Sequence, residues 1–180
     1  DRQCASGLMA VATAAKQVIV DGMDVVLAGG QDNISAVQND YFSWAMRDKD
    51  PAVVGHVPHA YMNMLQTAEF VAKKYGISRE AQDAYSLQSQ QRTAAAQAAG
   101  RFSQEIVPIT AQMAVADKAT GAISYKSVTL DKDEGNRPET TLEGLQTLKP
   151  VIEGGVITAG NASQLSDGAS ACVVTEASVA

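Results

Sequence analysis

A helical repeat runs straight into a short apolar strand near the start of this chain, and a matching strand does not appear until the far end. Leu8, Val11, Ala12, Ala15, Val18 and Ile19 keep the spacing of one helical face, and Gly22 is a natural stop. Asp24-Val25-Val26-Leu27-Ala28 then reads as a short buried strand closed by Gly29-Gly30. Helix followed by buried strand is half of a parallel α/β unit. The pattern breaks after residue 35, and the next buried strand is Ala169 to Thr175. The expectation is therefore an α/β fold in which two terminal pieces, 1–35 and 164–180, share one sheet and flank an insert of residues 36–163.

Residues 31–64 hold Tyr41, Phe42, Trp44, both histidines, Pro51 and Pro58, which suggests loops and short helices packed by their own aromatics. Ala68, Val71, Ala72 and Tyr75 restore helical spacing, ended by Gly76. Ser78 is a good N-cap, with Glu80 in the first turn, for an Ala- and Gln-rich helix stopped by Gly100. Ile106-Val107-Pro108-Ile109 and the segment around Ile123, Tyr125 and Val128 read as strands, with Thr120-Gly121 as a turn. Asp131-Lys132-Asp133-Glu134 reads as a solvated charge run. Leu142, Leu145 and Leu148 fit a short helix ended by Pro150, and Ala159 to Gly168 forms a loop rich in small residues.

Composition removes several function classes. Lysine and arginine total 14 against 20 acidic residues, a net charge of −6, which argues against a nucleic-acid surface. The two cysteines, Cys4 and Cys172, are too far apart in sequence for a disulfide scaffold or a zinc motif. No apolar run approaches the ~20 residues of a membrane span. The chain opens at Asp1 almost directly into the first helix and stops at Ala180 just after an apolar run, which reads as a piece of a longer polypeptide. A targeting signal would then lie outside it. The expected location is cytoplasmic, with mitochondrial or peroxisomal placement left open.

Cys4 carries the chemistry. It lies in Gln3-Cys4-Ala5-Ser6-Gly7, where the first helix opens. A cysteine there meets unpaired backbone N–H groups and the positive end of the helix dipole, both of which favour thiolate over thiol. Small Ala5, Ser6 and Gly7 leave room for an electrophile. The alternative on position alone is an unreactive buried cysteine capping a core helix. Cys172, in the middle of a strand, is expected to be buried. His56 and His59 are loop residues whose spacing gives no metal signature.

Several strings, in order, resemble the thiolases. Gln3-Cys4-Ala5-Ser6-Gly7 resembles their nucleophile segment, and Ala28-Gly29-Gly30-Gln31-Asp32-Asn33-Ile34-Ser35 their second signature. Thr67-Ala68-Glu69, then Gly76-Ile77-Ser78-Arg79-Glu80-Ala81-Gln82-Asp83, looks like their helical insert. Gly100-Arg101-Phe102, Glu105-Ile106-Val107-Pro108, Arg137-Pro138-Glu139-Thr140-Thr141-Leu142 and Thr158-Ala159-Gly160-Asn161-Ala162-Ser163 with Asp167-Gly168-Ala169 continue the likeness. Asp32 and Ile34 replace the usual Glu and Met, Asn63-Met64-Leu65 stands where short-chain members often have His-Met-Gly, and Gln164 and Ser166 stand where Gly and Asn are common.

The resemblance implies a partial thiolase fold: the end of the N-terminal α/β half plus its inserted loop domain, which would serve CoA binding and oligomerisation. It implies an acyltransferase that makes or cleaves 3-oxoacyl-CoA through an acyl-enzyme on Cys4. Arg137 matches an arginine at the nucleotide end of CoA, Ser163 a serine on the pantetheine arm, and Met64 a methionine near the acyl pocket, while Ala159 and Gly160 would let the backbone come close. No separate cofactor or metal is implied; CoA thioesters are the substrates. The implied partners are acyl-CoA, CoA, the rest of a thiolase polypeptide and further copies in a homodimer or homotetramer. The family's Gly-His-Pro histidine, Cys-x-Gly-Gly-Gly cysteine and Asn-Glu-Ala-Phe asparagine are missing from this sequence, so these 180 residues alone are expected to be inactive and, with sheet edges unpaired, poorly stable. Two other readings stand beside it: a decarboxylating condensing enzyme of the same superfamily, and a non-catalytic CoA-binding or assembly module.

Overall fold

The computed structural model describes residues 2–180, which form two compact units. The first comprises the chain up to Tyr61 together with Leu165–Ala180, and the second Met62–Gln164. The first unit thus runs on past residue 35, where the sequence pattern breaks, while the return falls one residue beyond 163.

In the first unit a 3-10 turn, Gln3–Ala5, leads into helix α1, Ser6–Asp21. Gly22 ends it with φ of 69°, a left-handed value that costs glycine nothing. Strand β1, Val25–Asp32, and the last strand of the chain, β4, Gly168–Thr175, pair over their whole length from Val25 opposite Thr175 to Asp32 opposite Gly168. The terminal pieces do share a sheet, and the two strands run antiparallel in it. α1 packs on this sheet, more extensively on β1 than on β4. Ala14 and Val18, one helical turn apart, are buried, as is Ala28 on β1. The opposite face is open: Leu27 is 71 % and Val173 63 % exposed, so β1 is not the buried strand its composition suggests. Cys172, opposite Ala28, is exposed as well, against expectation, because it lies on the strand that α1 covers less.

The segment after β1 is also more regular than its sequence suggested. Ile34–Arg47 is a 14-residue helix, α2, capped by Asn33, whose Oδ1 accepts from the Ala36 amide at 3.1 Å. Val37, Tyr41 and Trp44 fall at helical spacing on it, and the Tyr41 ring meets those of Phe42 and Trp44 at 5.7 and 6.0 Å. Asp50 then caps the short helix α3, Pro51–His56, with Pro51 in the first turn. Asp167 Oδ1 accepts from the Ser35 amide at 2.8 Å, tying the start of α2 to the residue before β4.

The second unit opens with α4, Met64–Tyr75, whose capping box joins Asn63 and Gln66, and α5, Arg79–Ala98, capped by Ser78. β2, Ile109–Ala116, and β3, Ile123–Leu130, form an antiparallel hairpin in which opposed Thr110 and Thr129 hydroxyls lie 2.9 Å apart. β2 begins where the anticipated strand 106–109 ends, because the Ile106 amide turns back to the Phe102 carbonyl and Pro108 has no amide to donate. Asp117 closes the hairpin by accepting from the Ala119 and Thr120 amides and the Thr120 hydroxyl. α6, Leu142–Gln146, packs on α5 with Leu145 buried. No helix among the described residues is long and apolar enough to cross a membrane.

Candidate active site

Each unit carries its own part of the predicted site. In the first, Cys4 is exposed in the 3-10 turn that precedes α1. The residue before it, Gln3, has φ of 51°, the one positive φ of a non-glycine residue among those described. Such a conformation costs of order 1–3 kcal/mol and persists where the surroundings require it. The left-handed residue turns the chain into α1, so Cys4 stands at the head of a 16-residue helix, in a 3-10 turn closed by the Ser6 amide donating to the Gln3 carbonyl. This excludes the alternative of a buried capping cysteine.

In the second unit, the 156–163 loop is pinned from two helices. Glu69, on α4, accepts from the Val156 amide at 2.9 and 3.0 Å and from the Ile157 amide at 2.8 Å. A Cβ at Gly155 would collide with this carboxylate, so the turn can approach α4 only because the position is glycine. Asn161 Oδ1 accepts from the Thr158 amide at 2.7 Å, while its Nδ2 donates to Val156 O at 3.0 Å and to Asp83 Oδ1, on α5, at 3.1 Å. The Thr158 hydroxyl accepts from the Gly160 and Asn161 amides. Asp83 and Thr158 are 0 % exposed. A Cβ on Gly160 would lie 2.5 Å from Leu145 Cδ2 and 2.6 Å from Leu148 Cδ1. The missing side chain at Gly160 therefore lets the loop seat on α6. Above this buried base, Ala159 and Ser163 are exposed.

Arg137 is exposed too, and its segment is held from α5. Gln90 Oε1 accepts from the Arg137 amide and from Asn136 Nδ2, both at 2.8 Å, and Gln97 Nε2 donates to the Asp133 carbonyl. Gln164 Nε2 donates to Gly135 O at 2.6 Å, so the structure brings the Arg137 segment and the end of the Ser163 loop together. A recess of about 230 Å3 lies there, lined by Gln90, Thr93, Gln97, Phe102 and Asn136, with Asn136 Oδ1 buried and without a partner. A larger cleft of about 610 Å3 between α4 and the 152–156 turn contains none of the anticipated CoA residues. Met64 is the first residue of α4 and 75 % exposed, which removes the reading of a core methionine. His56 and His59 are exposed, and no group of three or more metal-ligating side chains occurs among the described residues. Glu69, Arg79, Asp83 and Asn161 lie in strings that carry the family resemblance, but the sequence assigned them no supporting role, and it gave no sign of Gln90. Only a charged residue on a helix face that must be buried, such as Asp83, could have signalled them.

The first unit thus holds an exposed cysteine at a helix head beside an antiparallel two-strand piece, and the second a small-residue loop pinned from two helices. The chain belongs to the thiolase family: residues 1–178 match the thiolase N-terminal domain. It is 39 % identical over 177 residues to a 3-ketoacyl-CoA thiolase of Bacillus subtilis, covering 98 % of this chain and 44 % of that protein. It is 41 % identical over 184 residues to the human peroxisomal 3-ketoacyl-CoA thiolase, covering 100 % of this chain and 41 % of that protein. The crystal structure of human mitochondrial 3-ketoacyl-CoA thiolase in complex with CoA superposes with a TM-score of 0.74 at 35 % identity, over 97 % of this chain and 43 % of that one. The chain thus spans less than half the length of these relatives.

Proposed function

We propose that this chain supplies the nucleophile and much of the CoA site of an acyltransferase that forms or cleaves 3-oxoacyl-CoA. The observation that carries the reading is the exposed Cys4 at the head of α1, set there by the left-handed Gln3, in a chain that matches thiolases from end to end. The Cys4 thiolate attacks the carbonyl carbon of an acyl-CoA. The bond from that carbon to the CoA sulfur breaks, CoA leaves as a thiolate and is protonated, and the acyl group remains on Cys4. In synthesis, the α-carbon of a second acetyl-CoA loses a proton and attacks the acyl carbon; a carbon–carbon bond forms and Cys4 is released. Cleavage runs the same steps backwards. Splitting the transfer in two gives ping-pong kinetics.

In the second unit, Arg137 offers a cation for the nucleotide end of CoA, and Ser163, Ala159 and Gly160 form the surface along the pantetheine arm, with Met64 toward the acyl group. Acid–base and oxyanion groups come from the remainder of a thiolase polypeptide, so these 180 residues turn over no substrate by themselves. The exposed β2–β3 hairpin suits a contact in a homodimer or homotetramer. Incubating the full-length polypeptide with acetyl-CoA tests the reading. An acetyl group is expected on the peptide bearing Cys4 and absent after Cys4→Ser; an unmodified Cys4 in active enzyme overturns it. Failure of a malonyl thioester to release CO2 and extend the acyl group on Cys4 distinguishes this reaction from a decarboxylating condensation.

A further inference from the structure

Arg79, Asp83 and Asn161 have no part in the chemistry above, yet they form the most deeply buried polar cluster of the second unit. Arg79 Nε donates to Asp83 Oδ2 at 2.7 Å, one helical turn along α5, and its Nη2 donates to the carbonyls of Leu145 at 2.6 Å and Leu148 at 3.1 Å. Those carbonyls lie at the last turn of α6 and just past it, and that of Leu145 also accepts from the Leu148 amide at 3.1 Å. The other Asp83 oxygen accepts from Asn161 at 3.1 Å, and Asn161 folds the loop over itself through Thr158 and Val156. Gly160 closes the circuit by packing on Leu145 and Leu148. One arginine fork therefore fixes both the helix on which the loop rests and the carboxylate to which the loop is tied.

The arrangement exceeds what packing requires. An ion pair with its side chains 19 % and 0 % exposed is often no more stable than an apolar replacement, and its best-attested role is to specify one arrangement. The residues it immobilises, Thr158 and Asn161, alternate with those left facing outward, Ala159 and Ser163. Holding a flexible loop in its bound shape before the ligand arrives removes the ordering cost from binding.

We propose that Arg79, Asp83 and Asn161 are positioning residues that preset the 158–163 loop for the pantetheine arm of CoA, an inference that rests on the reading of that loop as part of the CoA site. The test is made on the full-length polypeptide. Asp83→Asn is expected to raise the Kd for CoA about tenfold or more, the scale on which small misplacements act. The rate of Cys4 acetylation at saturating acetyl-CoA and the alkylation of Cys4 by iodoacetamide should stay within about twofold of wild type, because neither depends on the loop once the arm is seated. Arg79→Lys keeps the charge but loses the fork, so the same split is expected at smaller size. Should Asp83→Asn fail to fold, Arg79→Lys carries the test. Folded variants with wild-type CoA affinity, or with affinity and Cys4 reactivity falling together, overturn the proposal. Arg137→Ala and Ser163→Ala, measured alongside, separate the two levels. If they leave CoA affinity unchanged, the CoA reading itself falls; if they weaken it while Asp83→Asn and Arg79→Lys do not, only the positioning role falls.

Discussion

The two units solve opposite problems. In the first, burial is sparse: Ala14 and Val18 on α1 and Ala28 on β1 are covered, while Leu27 and Val173 face outward. Its key residue, Cys4, is held by backbone geometry, a left-handed Gln3 and a helix head, and is left accessible. In the second, the 156–163 loop is held by side chains: Glu69 accepts from the Val156 and Ile157 amides, Asn161 takes the Thr158 amide and the Val156 carbonyl and donates to Asp83, and Thr158 is wholly buried. On the proposed function, Cys4 needs an open approach, which the exposed turn ahead of α1 supplies with few contacts. The loop proposed to bind CoA needs one shape out of many, which requires a dense hydrogen-bond network.

The comparison can be broken from either side. The largest effect is expected for Cys4→Ala in the full-length polypeptide: loss of acyl transfer by at least about a thousandfold, as for other covalent nucleophiles, with thermal stability unchanged. A steady-state assay beside a melting curve checks both halves. Asp83→Ala is expected to do the reverse. It strands Arg79 in a nearly buried position and should destabilise the folded state by about 3–5 kcal/mol, measured by denaturant titration. Gly155→Ala forces a methyl group onto the Glu69 carboxylate and Glu69→Gln weakens a charged acceptor of three hydrogen bonds; Glu69→Gln should cost about 1–3 kcal/mol.

The smallest effect lies in the first unit and depends on pH. Asp167 accepts hydrogen bonds from the Ser35 amide and hydroxyl and from the Ile34 amide, which hold its pKa below the ordinary 3.8. A carboxylate depressed in the folded state contributes stability that is present above its unfolded pKa and lost as pH falls through the lowered value. Asp167→Asn should therefore make the acid limb of the stability profile shallower below about pH 4 and leave Cys4 alkylation unchanged at neutral pH. An unaltered acid limb would show that the tie between α2 and β4 contributes nothing there. Asp117, held low by the Thr120 amide and hydroxyl and by the Ala119 amide, serves as the matching control in the second unit.

The helices were legible wherever apolar spacing and caps agreed. Gly22 and Gly76 end α1 and α4, and Ser78 caps α5, where local chemistry said they would. α2 is longer than the short helices expected of residues 31–64, because Val37, Tyr41 and Trp44 keep helical spacing up to Arg47 and the prolines come only after it. β2 was placed too early because a β-branched pair before a proline looks like a strand, while the alternation of Ile109, Ala111, Met113 and Val115 begins only after it. The exposure of Cys172 was illegible, since an apolar run is the same whether a helix covers it fully or in part.

Local order in the chain settled where helices start and stop, which cysteine stands at a helix head, and which family's motifs recur from residue 3 to residue 169, because each of these depends on neighbours a few positions apart. Folding alone settled that residues 25–32 and 168–175 run antiparallel, and that Arg79, Asp83, Leu145 and Asn161 meet. Asp83 and Asn161 lie 78 positions apart and the paired strands further still, and a hydrogen bond of such span leaves no periodic trace in the residues between.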